Sequence, residues 1–236
     1  MFAVKGAILA IQTFLKSEGR AKIMKNGWDN YWTKYPTIPR KDNRQKRLTR
    51  LFERYAKSGM VVCDAGCGSG LSGCAFLSMH CKVYCIDYSE EAIELAKKTT
   101  HNKAEYVVGN LLDNDFVLNF QNCFDLISTD GLLEHFNHFE QIQLINNLKG
   151  MLKSGGLMIT VVPNLLSHWH PIRRAFLKIP GVREKAFTVK KLISLVKQSD
   201  MEIIETGGIH VVPFDRSPEM LARFIGSSVF VVSQRV

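Results

Sequence analysis

Val61-Val62-Cys63-Asp64-Ala65-Gly66-Cys67-Gly68-Ser69-Gly70 decides the fold. Its apolar, β-branched start reads as a short buried strand. Three glycines at alternate positions, beginning two residues after an acid, read as a tight turn that hands the chain to a helix. Backbone in such a turn must bend sharply and leave no side chain between itself and a ligand. Loops of this kind lie at the carboxyl end of the first strand of doubly wound α/β sheets, where nucleotide-like cofactors bind.

Reading outward from there, Lys82–Ile86 is a second strand that ends at Asp87. Ser89, followed by Glu90, Glu91 and the apolar positions Ala92, Ile93, Leu95 and Ala96, reads as a capped helix start. Ala104–Val108 is a third strand, running into Gly109-Asn110-Leu111. Phe124–Ser128 is a fourth, leading to Thr129-Asp130-Gly131-Leu132-Leu133-Glu134-His135, with a helix expected to begin at the Glu-His pair. The turn Lys153–Gly156 precedes a fifth strand, Gly156–Val162, and Ile142, Leu144, Ile145, Leu148 and Leu152 place a helix in the crossover. Met201–Ile204 and Ser228–Val232 read as strands six and seven. Short apolar runs of this kind are what parallel strands buried on both faces look like.

Asp64-x-Gly66-x-Gly68-x-Gly70, the acid at Asp87, Gly109-Asn110-Leu111, Glu134-His135 and Lys153-x-Gly155-Gly156 together resemble the class I S-adenosylmethionine-dependent methyltransferases. The likeness covers roughly residues 45–235 and lies nearest the small-molecule branch that includes ubiquinone-biosynthesis enzymes. Gly68-x-Gly70-x-x-Gly73 also matches the dinucleotide fingerprint. In that fingerprint, however, the first glycine follows the strand directly, whereas here Asp64 and Gly66 come first.

The resemblance implies an α/β fold: a doubly wound, mostly parallel seven-stranded sheet with an antiparallel last strand. It implies an N-terminal helical lid or substrate segment over 1–45. A cofactor domain would follow over 46–236, with a cap insertion at about 163–188. The implied cofactor is S-adenosyl-L-methionine, released as S-adenosyl-L-homocysteine. Gly66, Gly68 and Gly70 would line its amino-acid tail, Asp87 its ribose, and Asn110 with Leu111 its adenine, with Asp64, Cys67, Tyr88 and Thr129 also in the cofactor site. Asn110 stands where the family commonly has an acid, and its amide oxygen can still accept from an amine. His135 is the first candidate for a general base, with Glu134, His138 and His168 behind it. Trp32, His168, Trp169, His170 and Arg173 are the expected acceptor contacts, for aromatic surface, titration near neutrality and anion binding.

Composition sets the outer limits. At 236 residues and 46% apolar content, one α/β domain is expected. The net charge of +9 includes a basic run over Arg40–Arg50 and the pair Arg173-Arg174. With acids interspersed, these read as solvated helix faces. The catalytic motif of nucleic-acid methyltransferases is missing after strand four, so nucleic acid is not the expected partner. No apolar run reaches the length of a bilayer span, and no secretory pattern is evident, so a cytoplasmic location is expected. The stripe Ala7, Ile8, Ile11, Phe14 and Leu15, flanked by Lys5, Lys16 and Arg20, leaves peripheral membrane contact open. Six cysteines without a C-x-x-C pair read as core residues of a reducing compartment, with no metal site. The expected function is methyl transfer to an oxygen or nitrogen of a small molecule. The alternatives are a non-catalytic cofactor-binding protein, a methyltransferase acting on RNA or protein and, last, an NAD-dependent oxidoreductase.

Overall fold

The computed structural model describes residues 25–34, 43–168, 170, 171, 182, 184–211 and 219–236. Helix α1 spans 25–34 and α2 Asn43–Tyr55. There follow β1 Val61–Ala65, α3 Leu71–Ser78, β2 Lys82–Asp87, α4 Glu90–Thr99, β3 Glu105–Val108, α5 Asn114–Leu118 and β4 Phe124–Asp130. After a 3-10 turn at Leu133–His135 come α6 His138–Met151, β5 Leu152–Pro163, α7 Val189–Lys197, β6 Met201–Ile209, α8 Glu219–Ile225 and β7 Ser228–Arg235. The seven strands form one sheet in the order β3-β2-β1-β4-β5-β7-β6. β1 to β5 run parallel. β7 is antiparallel to both of its neighbours. This is the expected Rossmann-like sheet. Strand order reverses between β1 and β4, which opens a crevice at their carboxyl ends.

Each face of the sheet carries its own core. Leu48, Phe52, Phe76 and Ile93 from α2, α3 and α4 pack on one face. Leu144, Leu148, Leu192 and Val196 from α6 and α7 pack on the other. α2 begins before residue 45 and continues past it as one helix, whose Leu48 and Phe52 are fully buried. The Phe52 ring lies 4.4 Å from that of Phe76.

Three local readings differ from the expectation. Lys153–Gly156 is not a turn before β5 but a bulge inside it. Phe124 pairs with Leu152 and Leu126 with Leu157, so one residue of β4 faces four of β5, with Gly155 at φ 74 absorbing the bend. Glu134-His135 does not open a helix. It sits in the 3-10 turn, and α6 starts at His138 because Asn137 and Glu140 form a reciprocal capping box. β6 runs on to Ile209, its Gly207-Gly208 segment held by pairing to β7 rather than by apolar side chains. Cys63, Cys67, Cys81 and Cys85 are buried, but Cys123 is exposed.

Replacing Phe52 with Ala deletes a fully buried ring and should cost about 3–5 kcal/mol. Urea denaturation would measure it. A loss under about 1 kcal/mol would mean that α2 is not part of the folding unit.

Candidate functional site

The crevice is built from the ends of β1, β2 and β4. Gly66, Gly68 and Gly70 have φ of 68, 49 and 76, the left-handed region that other residues avoid. The backbone N–H groups of Gly66 and Cys67 both donate to Ile86 O, at 2.8 and 3.1 Å. The glycine loop therefore hangs from the end of β2. Asp87 completes the suspension: its Oδ2 accepts from Gly68 N–H at 2.9 Å and its Oδ1 from Ser89 N–H at 3.0 Å. Burial raises its carboxyl. Each oxygen keeps a further lone pair that can accept from a hydroxyl.

Asp64 lies deeper. Its Oδ2 accepts from Gly73 N–H at 2.8 Å. Burial pushes its carboxyl from the ordinary 3.8 up to about 8, against the pull of that bond and with help from the charges of Asp130 and Asp87. The Cys85 thiol beside Cys67, together with burial, holds the Cys67 thiol well above its usual range. The loop sulfur is therefore not a thiolate nucleophile at neutral pH.

The remaining expected cofactor contacts ring the same mouth. Tyr88 is half-buried; its hydroxyl is buried with no hydrogen-bond partner, and burial pushes it upward. Asn110 is exposed, and its Oδ1 accepts from Leu112 N–H at 3.0 Å, a local turn. Leu111 is buried, its carbonyl held by Asn147 Nδ2 at 2.9 Å. Thr129 is fully buried with an unpartnered Oγ1.

On the acceptor side, Glu134 is buried and His135 half-buried. The 3-10 turn that carries them is clamped by Gln141 Nε2, which donates to Leu133 O and Phe136 O, both at 3.0 Å. Lys185 N–H donates to Glu134 O at 2.9 Å, which brings the far end of the cap segment to the same turn. His138 and His168 are exposed and His170 is half-buried. Trp169 and Arg173 lie outside the described residues, as do the stripe over 7–15 and Arg174.

α1 crosses this mouth. The six-membered ring of Trp32 lies against Gly68, where a Cβ would meet it at 2.8 Å. Trp32, expected among the acceptor contacts, thus lies against the glycine loop. The ring that meets His135 is that of Trp28, edge-on at 4.9 Å and 79°. Trp28 stacks on Trp32 at 6.1 Å. The i, i+4 spacing of the two tryptophans was the available signal, since it puts both on one helix face. No comparable signal in the sequence marks Arg44. From α2 it forms a two-pronged ion pair with Asp130 at the end of β4, with Nη1–Oδ2 at 3.0 Å, and its Nε donates to Ser228 Oγ at 3.1 Å.

Residues 62–156 match the family model described as a methyltransferase domain. The chain carries a class I S-adenosylmethionine-dependent methyltransferase domain. It is 25% identical over 191 residues to the ubiquinone biosynthesis O-methyltransferase of Coxiella burnetii, covering 76% of this chain and 81% of that one. It is 28% identical over 110 residues to the ribosomal protein L11 methyltransferase of Campylobacter concisus. That match covers 47% of this chain and only 37% of the relative. Among solved structures, a Burkholderia thailandensis 1,6-didemethyltoxoflavin-N1-methyltransferase with bound S-adenosylhomocysteine shares the fold. Its TM-score is 0.67, with 15% identity, over 92% of this chain and 89% of that one. The bare glycine loop and the acid at the end of β2 fit S-adenosylmethionine, the donor these methyltransferases use.

The raised Asp64 carboxyl has a signed consequence. Between about pH 4 and 8 the folded chain keeps a proton on Asp64 that the unfolded chain has lost, so stability falls as pH rises through that window. Asp64→Asn keeps an acceptor for Gly73 and cannot ionise. Urea stability measured across this range should fall less steeply in the variant. Parallel profiles would show that Asp64 does not titrate in the window.

Proposed function

We propose that this methyltransferase moves the methyl group of S-adenosylmethionine to an oxygen or nitrogen of a small, flat acceptor. The observation that carries the reading is the aromatic wall on the acceptor side: Trp28 faces His135 across the end of β4, beside the buried Glu134. Such a wall suits a conjugated ring rather than a nucleic-acid backbone. The basic run supports this reading from the other side. Arg44 is engaged with Asp130, and Leu48 is turned into the core. The run is thus partly a structural helix surface rather than an open phosphate track. The Coxiella relative, over most of its length, is by name an O-methyltransferase of ubiquinone biosynthesis.

When bound, S-adenosylmethionine supplies an electrophilic methyl carbon on a sulfonium. In our reading, Gly66 and Gly68 present bare backbone to its tail, Asp87 accepts from the ribose hydroxyls, and Asn110 with Leu111 meets the adenine. Tyr88 and Thr129 border the same space. Transfer then needs alignment and exclusion of water, which α1 supplies from above. His135 takes the proton of a hydroxyl acceptor as general base, and Glu134 orients the turn that carries it. His168, Trp169, His170 and Arg173 belong to the cap segment, whose far end reaches this turn through Lys185.

Methyl transfer from labelled S-adenosylmethionine into a cell extract, split into aqueous, lipid and macromolecular fractions, tests the reading. Label should appear in the aqueous or lipid fraction. Label confined to protein or RNA would overturn it in favour of the kinds of target named for relatives that methylate ribosomal protein L11 or tRNA. With a hydroxyl acceptor in hand, His135→Ala should lower kcat by about 10²–10⁴, the usual contribution of a general base. An unchanged kcat would remove His135 from that role.

A further inference from the structure

Leu165, Leu166, Leu221 and Phe224 are 51, 60, 42 and 59% exposed, and the fold brings them together. Asn164 does so. Its Nδ2 donates to Phe224 O at 3.0 Å and to Gly226 O at 2.9 Å, and its Oδ1 accepts from Leu166 N–H at 3.0 Å. The two leucines that follow Asn164 are thereby held beside α8. Leu221 and Phe224, three residues apart on that helix, share one of its faces, while Ala222 turns into the core. A buried, fully engaged amide thus keeps large apolar side chains in water. Single exposed leucines need no explanation, but a contiguous group of them marks a surface that meets something apolar.

The rim of this patch is basic. Asn164 pairs with Phe187 in parallel fashion, which runs Leu165 and Leu166 alongside the start of α7. Lys190 and Lys191 are exposed there, and Lys191 Nζ stands 4.5 Å from the centre of the Phe187 ring. Exposed Lys185 lies two residues before Phe187, and exposed Arg223 lies on α8 between Leu221 and Phe224. Among the described residues none of these four cations forms an ion pair. Against them stands one exposed acid of the same stretch, Glu184. The whole chain, at +9, leans the same way.

We propose that this surface docks the protein on an anionic lipid bilayer. The four apolar side chains enter the boundary between headgroups and acyl chains, and Lys185, Lys190, Lys191 and Arg223 meet the headgroup charge. A bilayer of this kind matches both halves of the surface, the apolar centre and the unpaired cations around it. No described helix is long and apolar enough to cross a membrane, so the contact is with one leaflet. The patch follows the carboxyl end of β5, the end of the sheet at which the crevice opens, so docking brings the crevice close to the lipid. The proposal does not depend on the reading of the acceptor.

The test is cosedimentation of the full chain with vesicles of equal parts phosphatidylglycerol and phosphatidylcholine, and with vesicles of phosphatidylcholine alone. Wild type should pellet with the anionic vesicles, at least about tenfold more strongly than with the neutral ones, and added salt should weaken the binding. Leu166→Ser with Phe224→Ser, and separately Lys190→Gln with Lys191→Gln, should each weaken it by about tenfold or more. Thermal melts of both variants should match wild type, because all four side chains are exposed. No binding of wild type to anionic vesicles, or equal binding to both kinds, would overturn the proposal. So would binding that neither variant weakens, which would put any lipid contact on another surface. A wild-type dimer that Leu166→Ser with Phe224→Ser dissolves, without vesicle binding, would make the patch an interface between copies and overturn it as well.

Discussion

One buried carboxylate holds the mouth of this molecule in shape. Asp87 ends β2 and binds the N–H of Gly68 on one side and that of Ser89 on the other. It thereby fixes both the glycine loop after β1 and the start of α4. Backbone N–H groups that cannot reach water must find an acceptor or cost roughly 1–3 kcal/mol each, and left-handed glycines offer no side chain to supply one. The two further bonds to Ile86 O complete a loop whose geometry depends on β2 although the residues belong to β1. The methyltransferase domain is therefore organised around a strand end as much as around its glycine motif.

A second constraint is electrostatic. Asp64, Asp87 and Asp130 gather at the carboxyl ends of adjacent strands, and the charges of the latter two push the Asp64 carboxyl upward. Arg44 answers one of the three, at Asp130. Of the others, Asp64 is buried and keeps its proton through neutral pH, while Asp87 stands at the crevice mouth. The carboxyl of Asp87 at the mouth suits a sulfonium donor with an ammonium on its tail better than a dinucleotide pyrophosphate.

What the sequence made legible was whatever depends on local backbone chemistry. The glycine spacing, the acid ending β2, the Ser89 cap and the apolar runs each announce themselves within ten residues, and together they specify the sheet. What it hid depends on contacts between distant parts. Arg44 and Asp130 are separated by 86 positions, and nothing in either neighbourhood points to the other. Trp32 was legible as an aromatic near the site, but its placement on Gly68 follows from how α1 crosses the mouth. The bulge in β5 looked like a turn because Ser-Gly-Gly reads the same in both. Pairing to β4 decides between them.

The cap segment ends as it begins, on the sheet. Asn164 bridges Phe187 in parallel fashion, Leu165 N–H donates to Phe187 O and Phe187 N–H to Pro163 O, both at 2.8 Å. Asn164 is further moored by its own amide to Phe224 O and Gly226 O. A stretch of chain whose two ends are stapled together behaves as a cassette. Its length and composition can drift at the expense of a closure entropy that grows only with the logarithm of length, while the strands beneath feel little of it. On the proposed reading of the cap, new acceptor preferences arise by rewriting one excursion of the chain, with the apparatus for the methyl donor left untouched.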